Sequence, residues 1–368
     1  MYIKYVELQN YRNYESVKID LNKNINIFVG NNAQGKTNML EAIFVCAFGK
    51  SFRTNREKEL IRFDRDYFSI KSVIQKENRE MDIRIIQSKD NKKGIKVNGI
   101  GLKKTSQLIG KINVVLFSPE DLRLITEGPA ERRKFLDREL SHMSTSYCMK
   151  LIEYNKVLSS RNKILKSLRF ENKFKDTLEI WDDKLVKLGY DLIKKRLEFI
   201  ERLNIISQKN HKKITSGKEE ISIRYLSNIN TENIDKYDKI YMEFKSKLSE
   251  RLENDIAKGF TSVGPHRDDF EIMINDIDVR KFGSQGQKRS VALSIKLSEI
   301  DIIREETGEY PVLLLDDVMS ELDYNRQNQI VKEFEHVQTV ITTTEISGIL
   351  KESLKDASVF SIHDGKVI

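Results

Sequence analysis

The stretch Gly30-Asn31-Asn32-Ala33-Gln34-Gly35-Lys36-Thr37 fits the pattern G-x-x-x-x-G-K-[ST] of a loop that binds nucleotide phosphates. An apolar run at 24–29 precedes it and predicts a strand, and an apolar run at 38–48 follows it and predicts a buried helix. The glycines let consecutive backbone N–H groups point at phosphate oxygens, and the helix N-terminus adds a partial positive charge. The sequence therefore predicts an α/β fold organised around a nucleotide site.

Two side chains of this loop carry its chemistry. Lys36 is predicted to reach the β and γ phosphates and to act in catalysis, and the Thr37 hydroxyl is predicted to complete the shell of a Mg²⁺ ion. The residues predicted to bind the nucleotide are Gly30, Asn31, Asn32, Ala33, Gln34, Gly35, Lys36, Thr37 and Asn38.

The composition is that of a soluble globular protein. The chain has 368 residues, of which 33% are charged and 39% are apolar, and this length predicts either one large domain with an inserted lobe or two domains. The net charge of +8 modestly favours a polyanionic partner such as nucleic acid. The sequence has no export signal and no apolar run long enough to span a bilayer, so we expect a cytoplasmic protein without a membrane partner.

The chain divides into three segments by pattern. Alternating apolar residues at 2–8, 17–21, 67–74, 81–86 and 93–97 predict an antiparallel sheet within an N-terminal half-domain, 1–128. Glycine then almost disappears and apolar residues fall at helical spacing, which predicts a helical lobe at 129–258. Within it, two helices, the second of some 25 residues, are expected to fold back on each other as an antiparallel pair. Glycines return in a C-terminal half-domain, 259–368.

A basic cluster lies at the predicted bend between these two helices. Its residues are compatible with DNA phosphate contacts, although a solvated helix tip has the same composition. The candidate DNA-binding residues are Arg161, Lys163, Lys166 and Arg169.

A second apolar run, at 311–317, ends in two carboxylates and predicts a buried parallel strand. At the tip of such a strand, Asp316 would bind Mg²⁺ directly or through water. Asp317 would polarise the attacking water and is the predicted catalytic carboxylate.

The segment between them carries the ABC signature S-x-G-Q at Ser284, Gly286 and Gln287, ahead of a long apolar helix. A serine hydroxyl and glycine amides at a helix N-terminus form an anion site. In ABC ATPases this site faces the γ-phosphate held by the other subunit, so that two ATP molecules are enclosed in a two-fold dimer. Ser320 and Asp323 stand where the D-loop of such a protein belongs. The predicted fold is therefore a P-loop ABC-type ATPase head with an antiparallel β subdomain and an inserted α-helical lobe.

With these motifs in view, the chain resembles the RecF family, bacterial recombination-repair ATPases related to SMC proteins, over nearly its whole length. The resemblance implies an ATP-dependent homodimer that binds gapped or duplex DNA and helps RecO and RecR to load the RecA recombinase. The stretches that carry it are 10–14, 32–38, 51–53, 117–122, 132–137, 264–269, 314–318 and 320–323.

The sequence departs from ABC transporters at three positions. Asp317 stands where transporters usually have glutamate, Ser118-Pro119-Glu120 stands where a Q-loop glutamine is expected, and no switch histidine occurs at 340–344. A threonine of that last stretch would contact the γ-phosphate, or nothing would. We therefore expect slow hydrolysis that serves as a switch. The alternative function is an ATPase subunit of an ABC-type transporter or another ABC protein that does not bind DNA. The transporter is disfavoured by the missing histidine, by Asp317 and by the long helical arm.

Several residues stay ambiguous at this level. Arg53 follows the first helix closely enough to reach phosphate or ribose, but an exposed strand-edge arginine would look the same. His266 and Arg267 would contact DNA or brace the signature helix. Arg12 and Asn13 would approach adenine or DNA, or would close a turn.

Overall fold

The computed structural model describes residues 1–76, 79–170, 175–232, 235–333, 336–346 and 357–368. These residues form two compact units. The head unit comprises Met1–Leu122, Lys209–Glu219 and Arg289–Ile368, and the lobe unit comprises Arg123–Gln208 and Glu220–Lys288. The lobe unit thus extends beyond the predicted boundary at 258 and includes the signature residues, because a strand at 221–226 pairs with a strand at 269–274.

The strands, numbered along the chain, are β1 (Tyr2–Tyr11), β2 (Tyr14–Asp20), β3 (Ile25–Val29), β4 (Tyr67–Lys76), β5 (Arg79–Ser88), β6 (Lys93–Val97), β7 (Ile100–Gly101), β8 (Val114–Phe117), β9 (Ile221–Leu226), β10 (Asp269–Ile274), β11 (Ile277–Asp278), β12 (Val312–Asp316), β13 (Thr339–Thr343), β14 (Ala357–His363) and β15 (Lys366–Val367). The α-helices are α1 (Lys36–Phe48), α2 (Arg123–Thr126), α3 (Pro129–Met143), α4 (Thr145–Leu168), α5 (Lys175–Ile214), α6 (Tyr237–Glu250), α7 (Leu252–Lys258), α8 (Val279–Phe282), α9 (Gln285–Thr307) and α10 (Tyr324–Glu333).

Two six-stranded sheets build the head unit. One is antiparallel with the order β2-β1-β4-β5-β6-β7, as the alternating pattern predicts. The other has the order β15-β14-β3-β13-β12-β8, in which β14, β3, β13, β12 and β8 run parallel. Helix α1 contacts strands of both sheets, and its residues from Met39 to Phe48 are buried. A helix that is enclosed between two sheets is expected to be mostly apolar around its whole circumference, as α1 is.

The lobe unit is built on α4 and α5, which run antiparallel as predicted. Lys150 pairs with Asp191, and Arg161 pairs with Asp182. The residue numbers of the partners on α5 decrease as those on α4 increase, which is the pattern of antiparallel helices. Helix α5 has 40 residues, which corresponds to roughly 60 Å and exceeds the predicted length. Its final turns, from Lys209, belong to the head unit. Among the helices of the described residues, none combines the length and apolar character that a membrane span requires.

Candidate functional site

The phosphate-binding loop lies between β3 and α1, as the sequence predicts. The Lys36 ammonium turns back into the loop, where its Nζ donates hydrogen bonds to the carbonyl oxygens of Gly30 and, at 2.9 Å, Asn31. Burial lowers the pKa of Lys36, and the nearby carboxylates of Asp317 and Asp316 oppose that shift. The loop lysine and both predicted carboxylates are therefore close enough to act on one another's charge.

Both glycines of the pattern are required by close packing. Gly35 has φ +116°, and a Cβ built there would lie 2.5 Å from the Nδ2 atom of Asn13. A Cβ at Gly30 would lie 2.4 Å from the carbonyl oxygen of Ile362 in β14. Side chains at these positions would push the loop away from its supports, so the glycines shape the loop through its neighbours as well as through a ligand.

Asn13, in the turn between β1 and β2, braces this loop. Its Nδ2 donates to the carbonyl oxygen of Gln34 at 2.7 Å, and its Oδ1 accepts from Asn38 at 2.9 Å. The hydroxyl of Tyr14 donates to the carbonyl oxygen of Gly35 at 3.0 Å. Of the alternatives left open by the sequence, the structure favours a turn that holds the loop in shape.

Arg12, in the same turn, pairs with Glu41 of α1. The Glu41 carboxylate is fully buried and accepts two hydrogen bonds from Arg12, at 2.8 and 2.7 Å, and one from Ser51 at 2.5 Å. A bidentate pair of this kind fixes position as well as charge. Arg12 thus joins the β1–β2 turn to the helix that follows the phosphate-binding loop.

We expect Arg12→Ala to lower the free energy of unfolding by about 3 kcal/mol, because it leaves the buried carboxylate of Glu41 without its main cation. Chemical denaturation without nucleotide measures this loss. Lys89→Ala is the matched control, since it removes an exposed ion pair with Asp66 and should cost less than about 1 kcal/mol. Equal losses in the two variants would contradict the proposed role of Arg12, and combining Arg12→Ala with Glu41→Gln should restore part of the stability.

Thr37 and Asp316, the two predicted metal ligands, lie in direct contact. The Thr37 hydroxyl donates to Oδ1 of Asp316 at 2.7 Å, and the Thr342 hydroxyl donates to the same oxygen at 2.9 Å. Burial raises the pKa of Asp316, while these hydrogen bonds oppose the rise. A threonine hydroxyl beside a carboxylate is an oxygen donor set that fits Mg²⁺.

Thr342 was not identified in this role from the sequence. It is placed by the register of β12 and β13, which sets Thr342 directly beside Asp316. The sequence leaves open whether a threonine of 340–344 contacts the γ-phosphate or nothing does, and in the structure the Thr342 hydroxyl donates to the Asp316 carboxylate. The signal is a pairing between strands, which a single sequence does not reveal.

Asp317 has a left-handed backbone, with φ +56°. Its amide donates to the hydroxyl of Thr342 at 3.0 Å, and its carbonyl oxygen accepts from the hydroxyl of Ser320 at 2.8 Å. Aspartate is one of the few residues that tolerate this conformation. The backbone around the predicted catalytic carboxylate is therefore fixed from both sides.

The signature residues begin α9 through a reciprocal cap. The amide of Gln287 donates to Oγ of Ser284 at 3.2 Å, and the amide of Ser284 donates to Oε1 of Gln287 at 2.9 Å. This arrangement is a capping box. The S-x-x-Q spacing is the sequence signal for this cap, in addition to the anion site that it predicts.

The D-loop residue Asp323 begins α10, where its Oδ1 accepts from the amide of Arg326 at 3.0 Å. The Arg326 side chain returns to pair with Asp323 and donates to the hydroxyl of Ser290 in α9 at 2.7 Å. Arg326, which sequence reasoning missed, thus ties the D-loop to the helix that carries the signature.

The prediction that Arg161 binds DNA is wrong, because its side chain is completely buried. It donates to Asp182 at 2.6 Å, to Thr261 at 2.9 Å and to Asp255 at 3.3 Å. Arg161 shares a face of α4 with Leu165 and Leu168, four and seven residues on, and this is the face that packs inward. Counting charges without regard to helical period caused the error.

The other three basic residues are exposed, but they differ. Arg169 donates to the carbonyl oxygens of Ile256, at 2.8 Å, and Ala257, at the end of α7. Lys163 and Lys166 project from the exposed side of α4. These two lysines remain the simplest candidates for phosphate contacts.

Arg53 lies beside the site. Its Nη1 donates to Oδ1 of Asn38 at 2.8 Å, and its positive charge opposes the rise in the pKa of Asp316. The guanidinium of Arg53 therefore lies near both α1 and the Asp316 carboxylate.

A parallel-sheet core, a phosphate-binding loop, a carboxylate strand and a long helix that starts at S-x-G-Q together define a P-loop ATPase head of the ABC type. Comparison with known proteins agrees. The model of the family described as RecF/RecN/SMC N terminal domain matches residues 2–367. The DNA replication and repair protein RecF of Clostridium tetani is 47% identical over 368 residues and covers 100% of both chains. That of Clostridium acetobutylicum is 48% identical over 100% of this chain and 99% of its own.

Solved structures give the same result. A structure of the recombination mediator protein RecF with ATP, from the RecFOR pathway, has a TM-score of 0.93 at 41% identity and covers 100% of this chain and 97% of its own. An SMC head domain from Pyrococcus furiosus has a TM-score of 0.55 at 18% identity, over 100% and 96%, which is a likeness of fold. The chain belongs to the RecF/RecN/SMC family and, within it, to the RecF proteins.

Proposed function

We propose that the chain is an ATP-dependent switch that binds DNA during replication and recombinational repair. The main observation in support of this proposal is that the side chains of Lys36, Thr37, Asp316 and Asp317 lie close together at the phosphate-binding loop. The ATP bound to a relative of 41% identity, and the DNA replication and repair names of others, support ATP as the nucleotide and DNA as the partner. Because chromosomal DNA is the proposed partner, the proposed location is the cytoplasm.

Each residue of the site has a proposed role. Lys36 and the loop amides bind the phosphates, and Thr37 and Asp316 hold Mg²⁺. When bound, Mg²⁺ would offset negative charge on the phosphate oxygens. Asp317 orients the attacking water and accepts its proton, and Arg53 adds positive charge at the same end of the loop. Because aspartate is one methylene shorter than the glutamate usual in transporters and no switch histidine is present, hydrolysis is slow.

The active form is a homodimer in this proposal. Ser284, Gly286 and Gln287 of one subunit face the γ-phosphate held by its partner, and the D-loop residues Ser320 and Asp323 complete the contact. The capping box supports this arrangement, because it preforms the N-terminal turn of α9, whose amides and dipole attract an anion. ATP then acts as the link between subunits, and its hydrolysis releases them.

DNA binding in this proposal is electrostatic and depends little on sequence. The net charge of +8 and the exposed lysines Lys163 and Lys166 support contacts with phosphates. Proteins of the RecO and RecR type are the proposed partners in loading RecA on gapped DNA, in line with the RecFOR pathway of the structural relative.

The test is fluorescence anisotropy of labelled duplex and gapped DNA, with and without Mg-ATP, at two or more salt concentrations. Affinity should rise with ATP and fall with salt. Replacing Lys163 and Lys166 together by glutamate should weaken duplex binding and reduce the slope of log affinity against log salt by about 2, because each lost phosphate contact contributes about 0.9. In the matched control, Lys187 and Lys239, which are exposed lysines on α5 and α6, are replaced by glutamate.

An unchanged slope in the Lys163 and Lys166 variant would place the DNA surface elsewhere on the chain. No DNA binding by the wild-type protein in any nucleotide state would overturn the proposed function itself.

A further inference from the structure

Two stretches that carry the family resemblance have no role in the nucleotide site, and the lobe unit brings them together. Arg132 of α3 makes a bidentate pair with Asp269, at 2.7 and 2.8 Å. Its neighbour Arg133 donates from Nη1 to the carbonyl oxygen of Asp268 at 2.9 Å. The segment from 132 to 137 is thereby fixed against the loop from 264 to 269.

A third cation approaches from α5. Arg196 is only 1% exposed, and its guanidinium donates to Asp137 at 2.6 Å, to the carbonyl oxygen of Pro265 at 2.6 Å and to the hydroxyl of Tyr147 at 2.9 Å. All three nitrogens of Arg196 are used, so this side chain is rigid. The charge of Asp137 is matched by Arg196.

A cavity of about 210 Å³ opens between α3, α4, α5 and the loop that contains Pro265. This volume holds several waters or a group the size of a phosphate. The surface of its lining is mostly apolar, and its charged residues carry more positive than negative charge. The lining residues are Ala130, Arg133, Lys134, Asp137, Leu151, Tyr154, Asn155, Leu192, Arg196, Pro265 and His266.

Three cations therefore face this cavity, and Asp137 is the one carboxylate among its lining residues. Lys134 pairs with Glu131 at the rim at 2.5 Å. The pKa of Arg133 is lowered by burial and by the charges of Arg196 and Arg267, although Asp269 and Asp137 act in the opposite direction. A guanidinium that is half-buried beside other cations gains most from an anion.

His266 contributes a fixed, uncharged wall. Its Nε2 lies 2.9 Å from the carbonyl oxygen of Thr261 and so donates, which leaves Nδ1 to accept the hydroxyl of Tyr154 at 2.7 Å. Burial lowers the pKa of His266 to about 4, so the ring is neutral at physiological pH. The positive charge of the cavity thus comes from its arginines and lysine.

We propose that this cavity is an anion site for a phosphate group, separate from the phosphate-binding loop. Among the described residues Arg133 has one hydrogen bond, from Nη1, so its Nε and Nη2 keep their donors for an oxyanion. Two such donors in a fixed fork match the spacing of phosphate oxygens. The phosphate comes from a nucleic acid or from free phosphate, and the nucleic-acid source rests on the proposed function.

The test is calorimetric titration of the full chain with inorganic phosphate at constant ionic strength. Arg133→Gln should weaken the binding of phosphate at this site by about tenfold or more, since a charge-assisted donor is lost. Lys134→Gln, at an exposed position that does not support the fold, should weaken it less. Arg224→Gln, on the exposed side of β9 in the same unit, is the matched control and should leave affinity unchanged.

The phosphate-binding loop is intact in all of these variants, so its own affinity for phosphate cancels in the comparison. The proposal is overturned if Arg133→Gln and Lys134→Gln both bind phosphate as the wild type does. It is also overturned if Lys36→Ala alone removes all phosphate binding.

A second arm identifies the source of the phosphate. Anisotropy of duplexes with a 5′-phosphate and with a 5′-hydroxyl compares the wild type with Arg133→Gln. A loss of duplex affinity in the variant assigns the site to nucleic acid, whereas unchanged duplex affinity with weakened phosphate binding assigns it to free phosphate. If the wild type binds no DNA, the proposed function fails while the phosphate titration still decides the anion site.

Discussion

The variant Ser284→Arg should bind ATP as the wild type does and remain monomeric when ATP is added. Ser284 lies at the start of α9 and is not one of the loop residues 30–37, so its substitution leaves the side chains of that loop unchanged. In the proposed dimer, a bulky side chain at the signature would block the approach of the partner's γ-phosphate. Light scattering with and without Mg-ATP measures the dimer, and a fluorescent ATP analogue measures binding.

The structure adds a control to this experiment. Ser284 also caps α9, so any substitution loses a cap worth about 1 kcal/mol. Ser284→Ala removes the cap without adding bulk, and it should weaken the ATP-induced dimer without abolishing it. If the Ser284→Arg variant forms the same fraction of dimers with ATP as the wild type, the proposed arrangement, in which the signature residues act in trans, is incorrect.

The features that were predictable from sequence are local ones. The loop from Gly30 to Thr37, its flanking strand and helix, and the strand ending at Asp316 each follow from spacing within a few residues. The alternating runs of the antiparallel sheet are local in the same sense. These predictions are confirmed because hydrophobic periodicity and the residues of short motifs determine such elements locally, without information from the rest of the chain.

What could not be predicted depends on pairing between distant segments. Thr342 is placed beside Asp316 by the register of two parallel strands, and Asn13 is placed under the loop by a hairpin packed against it. The buried Arg161 shows the opposite error, since a charge in a basic cluster was assigned to solvent although its helical face is internal. The lobe unit extends to Lys288 and does not end at the predicted boundary of 258, because the pairing of β9 with β10 joins segments that are far apart in sequence.

Asp317→Asn should reduce ATP hydrolysis by about 10² to 10⁴-fold, the usual contribution of a positioned base. Asparagine has the same shape and also tolerates the left-handed conformation at φ +56°, so the hydrogen bonds of the backbone to Thr342 and Ser320 should persist. ATP binding and dimer formation should survive, and the dimer should live longer because hydrolysis releases the subunits in the proposed cycle. Steady-state phosphate release and light scattering measure the two effects.

Asp276→Asn is the matched control for this variant. Asp276 also has a left-handed backbone, with φ +62°, and is exposed at the turn between β10 and β11. The same chemical change there should leave turnover within about twofold of the wild type, since a surface substitution seldom alters the fold by more than about 0.5 kcal/mol. If Asp317→Asn kept turnover within tenfold, Asp317 would not be the base. The base would then be another group near Lys36. Among the described residues, Asp316 is the carboxylate that is hydrogen-bonded to Thr37.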